Sequence, residues 1–318
     1  QAAYESRYSE EQAAFHPEDA ELAQELLSSI DKKQLADIFS RYLQKSGVPL
    51  DNANIQALQG ILARPISGYE ADAAYSSFMN FIALSTKSPD FLQAKECRAR
   101  SEAIPPELLM KLQLSFIHEA CHAFSRNRIS TKDANNSETL MKHESGYVVR
   151  ETRIRQPARR FGAIKDKNSS FEALNEGVTQ RIAEEIFLEL ARRTGAGGAA
   201  EKFLSDYITD NAENLERYSI YENQVDGMCE RIAEFAGTTK EAVWDAFKKG
   251  YFAKPELFAE ETVELFQETF GEDFLDEYAK LNNKTPERML GSFDDSAGFS
   301  RPQDYAQKWL DRLGIKRA

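Results

Sequence analysis

The sequence predicts an α+β protein that is mainly helical, with a small sheet or hairpin. Most of the 318 residues lie in segments whose apolar side chains recur every three or four positions, and this spacing is typical of amphipathic helices. Only residues 79–84 and 146–166 have the short apolar or β-branched runs typical of strands. Hydrophobic residues make up 42% of the chain, which is enough for a large core in one or two domains.

The N-terminal part is predicted to be polar and helical. Helical spacing occurs at residues 20–29, 33–44 and 55–62. Gly-Val-Pro at 47–49 and Pro-Ile-Ser-Gly at 65–68 separate these segments as turns. Residues 79–84 follow as an apolar run, which its length alone allows to be a buried strand or a helical turn.

A long helix is predicted to begin at Pro105 and Pro106, since proline suits a first helical turn. Its apolar stripe repeats every three or four residues and comprises Leu109, Leu112, Phe116, Ala120 and Ala123. His118, Glu119 and His122 lie on a neighbouring face of the same helix.

The remaining elements follow from the same signals. Residues 127–145 are polar and predict a loop, whereas residues 146–166 predict a strand or hairpin. Ser169 and Glu172 have the spacing of a capping box and predict the start of a second long helix. Further helices are predicted at residues 206–218, 221–235, 239–249 and 260–281.

The pentapeptide His118-Glu119-Ala120-Cys121-His122 is the strongest chemical signal in the chain. Residues four apart share a helix face, so both imidazoles can converge on one metal ion. In this H-E-x-x-H pattern the histidines bind zinc and the glutamate acts as a general base on water. A catalytic zinc site usually has three protein ligands, so one more ligand is needed.

Asn175-Glu176-Gly177, on the second long helix, resembles the N-E-G segment that follows H-E-x-x-H in the gluzincin group of zinc peptidases. The resemblance implies that His118, His122 and Glu176 bind one Zn²⁺ per chain and that Glu119 is the base. It also implies a zincin-like core. Other candidates for the third ligand stay open, although each is more simply a solvated side chain; they are His143, Glu138, Glu144 and Glu151.

Two departures from the aminopeptidases of that group restrict the implied activity. His122 and Glu176 are separated by 53 residues, against about eighteen in those aminopeptidases, and their G-x-M-E-N segment is absent. The prediction is therefore zinc-dependent hydrolysis of peptide bonds by a selective endopeptidase. The alternatives are a catalytically inactive zincin-fold binding or regulatory protein, and a helical regulatory protein in which the motif is accidental.

A donor that stabilises the oxyanion of the reaction is also expected. Gluzincins often use a tyrosine from a later helix, and this likeness favours Tyr221, with Tyr218 and Tyr147 as alternatives. Five arginines lie between residues 150 and 160. They could recognise acidic side chains or a C-terminal carboxylate, or could simply form a solvated strand face.

Composition restricts the partners. A net charge of −12 argues against nucleic acid or an anionic membrane surface, and no apolar run reaches the ~18 residues that a membrane span needs. The expected partner is a peptide or protein substrate; the oligomeric state stays open. The chain begins at Gln1, so a targeting segment could have been removed, and both a cytoplasmic and a secreted or delivered protein are compatible with the sequence.

The expected organisation is a helical N-terminal region at 1–70, a zincin-like catalytic core at 71–250 and a helical C-terminal region at 251–318. One continuous domain is the alternative.

Overall fold

The computed structural model describes residues 17–59, 61–65, 72–76, 80–135, 138–155, 164–214, 217–253, 260–280 and 302–315. The helices are α1 (Pro17–Leu26), α2 (Lys32–Lys45), α3 (Asn52–Gln59), α4 (Pro89–Ala99), α5 (Pro106–Phe124), α6 (Glu172–Arg193), α7 (Gly197–Glu213), α8 (Arg217–Ala236), α9 (Lys240–Phe252), α10 (Glu260–Phe270), α11 (Phe274–Lys280) and α12 (Pro302–Leu313). The strands are β1 (Ile61–Arg64), β2 (Ala73–Ser76), β3 (Phe81–Ser85), β4 (Asn127–Asn135), β5 (Glu138–Ser145), β6 (Val148–Arg155) and β7 (Ile164–Ser170). The predicted α+β, mainly helical class is confirmed.

The chain divides into two compact units. The first unit comprises Gln1–Phe39, Leu50–Phe124 and Ile186–Ala200, and the second comprises Ser40–Pro49, Ser125–Glu185 and Glu201–Ala318. This partition into two units differs from the three regions expected from the sequence. The functional assignment of those three regions stays a prediction.

The first unit contains a three-stranded sheet in the order β1-β3-β2. The central strand β3 pairs in parallel with β1 and antiparallel with β2. All five of its residues are buried, as expected of a strand with neighbours on both edges and cover on both faces. The apolar run at 79–84 is thus largely a buried strand. Helix α5 buries Leu112, Phe116, Ala120 and Ala123, which confirms four of the five residues of the predicted stripe; Leu109 is half-buried.

The second unit contains a four-stranded antiparallel meander in the order β4-β5-β6-β7. Its helical part buries an unusual charged side chain, Arg181, which is fully shielded from solvent. The Arg181 guanidinium lies 4.5 Å from the ring centre of Trp244 and 4.1 Å from that of Trp309. It also lies 3.2 Å from the Asp226 carboxylate. Two aromatic faces and a carboxylate therefore compensate for the loss of water around this cation.

Three sequence predictions about element boundaries are wrong. Within the segment 127–145, which was predicted to be a loop, Asn127–Asn135 forms β4 and Glu138–Ser145 forms β5. Ser169 pairs with Arg150 in the β6–β7 ladder, so it belongs to a strand instead of capping a helix. The turn into α6 occurs at Phe171, whose φ is +61°. Helix formation at 55–62 stops early, because residues 61 and 62 belong to β1 and pair with β3.

The long helix predicted at 260–281 is two helices. Gly271, with φ +102°, lies between α10 and α11, and a residue in this conformation cannot continue a right-handed helix. Phe266, Phe270, Phe274 and Tyr278 form a run of aromatic contacts across the break, so one aromatic face continues despite it.

Among the described helices, none is both long enough and apolar enough to cross a membrane.

Candidate metal centre

The histidine motif lies on α5 in the first unit. The core stripe of α5 fixes the rotation of the helix, and this places His118 and His122 one above the other on an adjacent face. His118 is 5% exposed and His122 is half-buried. Their ring centres lie 4.9 Å apart with an interplanar angle of 74°. The two imidazoles thus converge as the i, i+4 spacing predicts.

Glu119 completes a compact group with the two histidines. One ligand atom from each of His118, Glu119 and His122 lies within 4.8 Å of the others. Ligand atoms about 2.0–2.1 Å from a tetrahedral zinc would be about 3.3 Å apart, so small side-chain rotations would suffice for binding. Two imidazole nitrogens and a carboxylate suit zinc and related divalent metals. The chemistry and spacing of this donor set therefore fit a metal site.

The Glu119 carboxylate also contacts the sheet of the first unit. The Tyr75 backbone N–H donates a hydrogen bond of 2.6 Å to Glu119 Oε2. Tyr75 is in β2, the edge strand, and three residues earlier the Asp72 carbonyl accepts from the Ser85 N–H. Backbone groups alternate sides along an antiparallel pair, so the Tyr75 N–H points away from β3. Glu119 therefore occupies the outer side of β2.

The Tyr75 side chain is held near this contact. Its hydroxyl donates to Asn80 Oδ1 at 3.0 Å. Burial, with a smaller contribution from the Asp51 carboxylate, raises the pKa of Tyr75 to about 12. The phenol therefore stays neutral across the physiological range. Nothing in the sequence linked Tyr75 to Glu119, because the contact joins a backbone amide to a side chain 44 positions away.

Glu176 belongs to the first turns of α6, in the second unit, and is half-buried. The residues on both sides of it are tightly fixed. Asn175 Oδ1 accepts a 2.9 Å hydrogen bond from the Tyr147 N–H. At Gly177, an added Cβ would lie 2.6 Å from the carbonyl oxygen of Tyr221, so α6 and α8 approach closely there. The assignment of Glu176 as third ligand stays a prediction.

Two further side chains support the Asn175 backbone. The Thr179 hydroxyl donates to the Asn175 carbonyl at 2.6 Å and shares a 2.9 Å hydrogen bond with the Tyr251 hydroxyl. Both Thr179 and Tyr251 are fully buried. Sequence reasoning did not identify Tyr251, which is 72 residues from Thr179 and carries no motif.

The three tyrosines proposed as oxyanion donors lie in the second unit. Tyr221 is fully buried and packs with Ala173 and Ile220, and Tyr218 is half-buried against the same cluster. The Tyr147 hydroxyl donates to the Phe247 carbonyl at 2.7 Å, so its proton already has an acceptor. The choice of Tyr221 stays a prediction.

The structure also shows the surroundings of three other residues that the sequence analysis quoted. His143 is 4% exposed in β5, so its placement in a solvated loop is wrong. Cys121 is fully buried, as expected of a small residue packed behind the motif. Arg150 lies 3.9 Å from Glu172. The last two arginines of the 150–160 cluster, Arg159 and Arg160, lie outside the described residues.

Comparisons with protein-family models, curated proteins and solved structures gave no significant match. The likeness to gluzincins therefore depends on the residues quoted above.

Proposed function

We propose that this chain is a zinc-dependent peptidase in which His118 and His122 bind the metal and Glu119 is the general base. The observation that supports the proposal is the group of two imidazoles and one carboxylate on a single helix, with ligand atoms within 4.8 Å of one another. Glu176 is the third ligand in this proposal, and the reaction is hydrolysis of a peptide bond.

The residues of the motif have distinct roles in this reaction. Zinc held by the two imidazoles would supply Lewis acidity, which lowers the pKa of water and polarises a carbonyl group. Glu119 takes a proton from the attacking water and passes it to the nitrogen of the leaving amine. The Tyr75 N–H, bonded to Glu119 Oε2, restrains the carboxylate while the proton is transferred.

The substrate class follows from the strand beside Glu119. An extended peptide can add to the edge of a sheet through main-chain hydrogen bonds, and β2 is an edge strand of the described three-stranded sheet. We therefore assign peptide pairing to β2. Since β2 has four residues, the substrate would be an extended segment of a few residues, as a selective endopeptidase requires.

The test combines metal analysis with peptide cleavage. The purified chain should contain about one zinc ion when measured by elemental mass spectrometry, and it should cleave members of a peptide library. Glu119→Gln should retain the metal and reduce kcat by about 10²–10⁴-fold, the usual contribution of a general base. His122→Ala should lose the metal. Glu107→Gln, an exposed glutamate on the same helix, is the matched control and should change neither.

Glu176→Gln tests the third ligand separately. Loss of zinc in this variant, with the fold retained by circular dichroism, would support the assignment. Zinc binding equal to that of the parent chain would exclude Glu176 while leaving the histidine pair in place. Metal binding without cleavage by any variant would favour the inactive binding protein, and absence of metal in the parent chain would reject the proposed peptidase.

A further inference from the structure

Strand β4 has an open edge. In the described four-stranded sheet it pairs with β5 alone, and residues 127–132 of this strand are all exposed. A strand at the edge of a sheet offers the backbone N–H and C=O groups of its outer side to another extended chain. The exposed part of β4 is long enough to pair with a peptide segment of several residues.

The ladder with β5 determines which backbone groups of β4 face this edge. The Gly146 N–H donates to the Arg126 carbonyl at 2.8 Å, and these two residues continue the register of β4 and β5 by one position. Opposite residues in an antiparallel ladder alternate between hydrogen-bonded and non-hydrogen-bonded pairs. The even-numbered residues of β4 are therefore bonded to β5, whereas the N–H and C=O groups of Ile129 and Thr131 point to the open edge.

The two faces of β4 differ in chemistry. Side chains alternate between the faces of a strand, so Arg128 and Lys132 share one face, and Ile129 and Thr131 share the other. All four residues are exposed, and Ile129 is one of the large hydrophobic residues that solvent reaches most, at 46%. The edge strand therefore presents cations on one face and β-branched side chains on the other.

The face with Arg128 and Lys132 is positively charged. Its acid on β5 is Glu144, which lies opposite Arg128 and forms ion pairs with Arg126 at 3.0 Å and with Lys142 at 2.9 Å. The hydrogen bond and charge of Lys142 lower the pKa of Glu144, although burial opposes the shift. The charges of Arg126 and Arg128 lower it further. Cations thus outnumber the acid beside the open edge, in a chain whose net charge is −12.

We propose that the open edge of β4 binds an extended acidic segment of another protein, which joins the sheet as an additional strand. In this mode of recognition main-chain hydrogen bonds hold the peptide, and its alternate side chains determine the preference. Asp or Glu at every second position lies on the face of Arg128 and Lys132, and the apolar or β-branched residues between them lie beside Ile129. This binding surface goes beyond the proposed peptidase function and does not depend on it.

The edge selects a peptide over two other occupants. Cations on an edge strand oppose pairing with a second copy of the chain, because each copy brings the same cations. The alternating N–H and C=O groups of Ile129 and Thr131 are matched by another polypeptide backbone, whereas a sugar–phosphate backbone has no such alternation. Glu151, on the same face but two strands from the edge, would also repel a phosphate chain lying across the sheet.

Peptide titration by fluorescence anisotropy tests the charge preference. The probe is a labelled, end-blocked peptide in which Glu and Val alternate, and the comparison peptide has the same composition with all Glu residues in one block. The alternating peptide should bind more tightly, and its Kd should rise with salt because exposed charges are screened. Arg128→Gln combined with Lys132→Gln should raise this Kd by about 2–30-fold, the range for two exposed ion pairs.

A double variant elsewhere on the chain is the matched control. Arg100→Gln combined with Lys202→Gln also removes two exposed cations and should leave the Kd within about twofold of that of the parent chain. An equal loss of affinity in the two double variants would show attraction by net charge alone and would overturn the proposed site. Equal binding of the alternating and the block peptide would overturn it as well.

Ile129→Pro tests the edge itself. Proline removes an N–H that faces outward, so the ladder with β5 keeps its hydrogen bonds, and proline is tolerated at such positions of edge strands. The variant should keep the circular dichroism of the parent chain and raise the Kd of the alternating peptide by at least about fivefold, as expected for a lost hydrogen bond. Ile129→Val, which keeps the N–H and the β-branched side chain, should bind as the parent chain does. Equal affinity of these two variants would contradict the proposal.

Hydrogen exchange on the parent chain provides a readout that needs no variant. The amides of Ile129 and Thr131 should exchange rapidly in the free chain and become protected with the alternating peptide, whereas the amides of Arg128 and Ser130 should be protected in both states. If Ile129→Pro does not fold, unchanged exchange at Ile129 and Thr131 would overturn the proposal equally. Tighter binding of a single-stranded oligothymidylate than of the peptide would assign the surface to nucleic acid instead. A dimer of the parent chain that Ile129→Pro abolishes would assign the edge to a second copy, and either outcome would reject the peptide site.

Discussion

Replacing Gly177 by alanine tests how closely α6 and α8 must pack beside Glu176. A Cβ at this position would lie 2.6 Å from the Tyr221 carbonyl oxygen, 2.8 Å from the Tyr221 carbonyl carbon and 3.0 Å from Val225 Cγ2. The valine methyl can move by rotation of its side chain. The Tyr221 carbonyl belongs to the backbone of α8, so it can move only if the helix moves.

Two opposing contributions determine the expected change in the free energy of unfolding of Gly177→Ala. Adding a methyl group to a well-packed core costs about 1–3 kcal/mol, and two contacts to backbone atoms place Gly177→Ala at the upper end of that range. Alanine in a helix interior is about 1 kcal/mol more favourable than glycine. The net loss in the free energy of unfolding is therefore about 2 kcal/mol. In a cooperative unit of about 150–250 residues this lowers Tm by about 4–8 °C.

Thermal and urea unfolding measure this difference against a matched control, Gly198→Ala. Gly198 is also helical, and no heavy atom of the described residues lies within 4 Å of the position that a Cβ would take there. This variant should be unchanged or more stable by up to about 1 kcal/mol. Equal stability of Gly177→Ala and Gly198→Ala would refute the reasoning. If Glu176 binds the metal, Gly177→Ala should also weaken zinc binding, which isothermal titration measures.

Three further predictions concern the interior of the second unit. Trp309→Ala removes a ring that covers Arg181 and donates to Glu184, so urea unfolding should show a loss of about 3–5 kcal/mol. Burial raises the pKa of Glu184 to about 7 from 4.5. Its stabilising contribution is therefore full below pH 4.5 and is lost as the pH rises to about 7, and Glu184→Gln should remove this part of the pH dependence of unfolding. Tyr147→Phe loses the bond to the Phe247 carbonyl and should cost about 1 kcal/mol in urea unfolding, with peptide hydrolysis retained.

The helices that carry the site were predictable because their apolar residues recur with the helical period. In α5, Leu112, Phe116 and Ala120 are all buried, and the same stripe fixes the direction in which His118 and His122 project. The histidine pair could therefore be placed on one helix face from the sequence, and the two ring centres lie 4.9 Å apart. Short-range periodicity determines this part of the structure, so no knowledge of distant contacts was required.

Strands β4 and β5 were not predictable by the same means. Residues 127–132 are all exposed, so this part of β4 has no buried face and therefore no alternation of apolar and polar residues. Its conformation comes from backbone pairing with β5, which runs from Asn127–Ser145 to Asn135–Glu138. A ladder of this kind depends on the partner strand, and its hydrogen bonds leave little trace in side-chain composition.

The contact between Tyr75 and Glu119 shows why the motif alone does not describe the site. A carboxylate next to two histidines can act as a further ligand or as a base, and the sequence pattern is the same in both cases. A charge-assisted hydrogen bond from a backbone amide already engages Oε2. In the proposed reaction Oε1 is therefore the oxygen that takes the proton, while Oε2 keeps the carboxylate aligned with the edge of β2. The proposed role of base thus depends on a strand that the motif does not include.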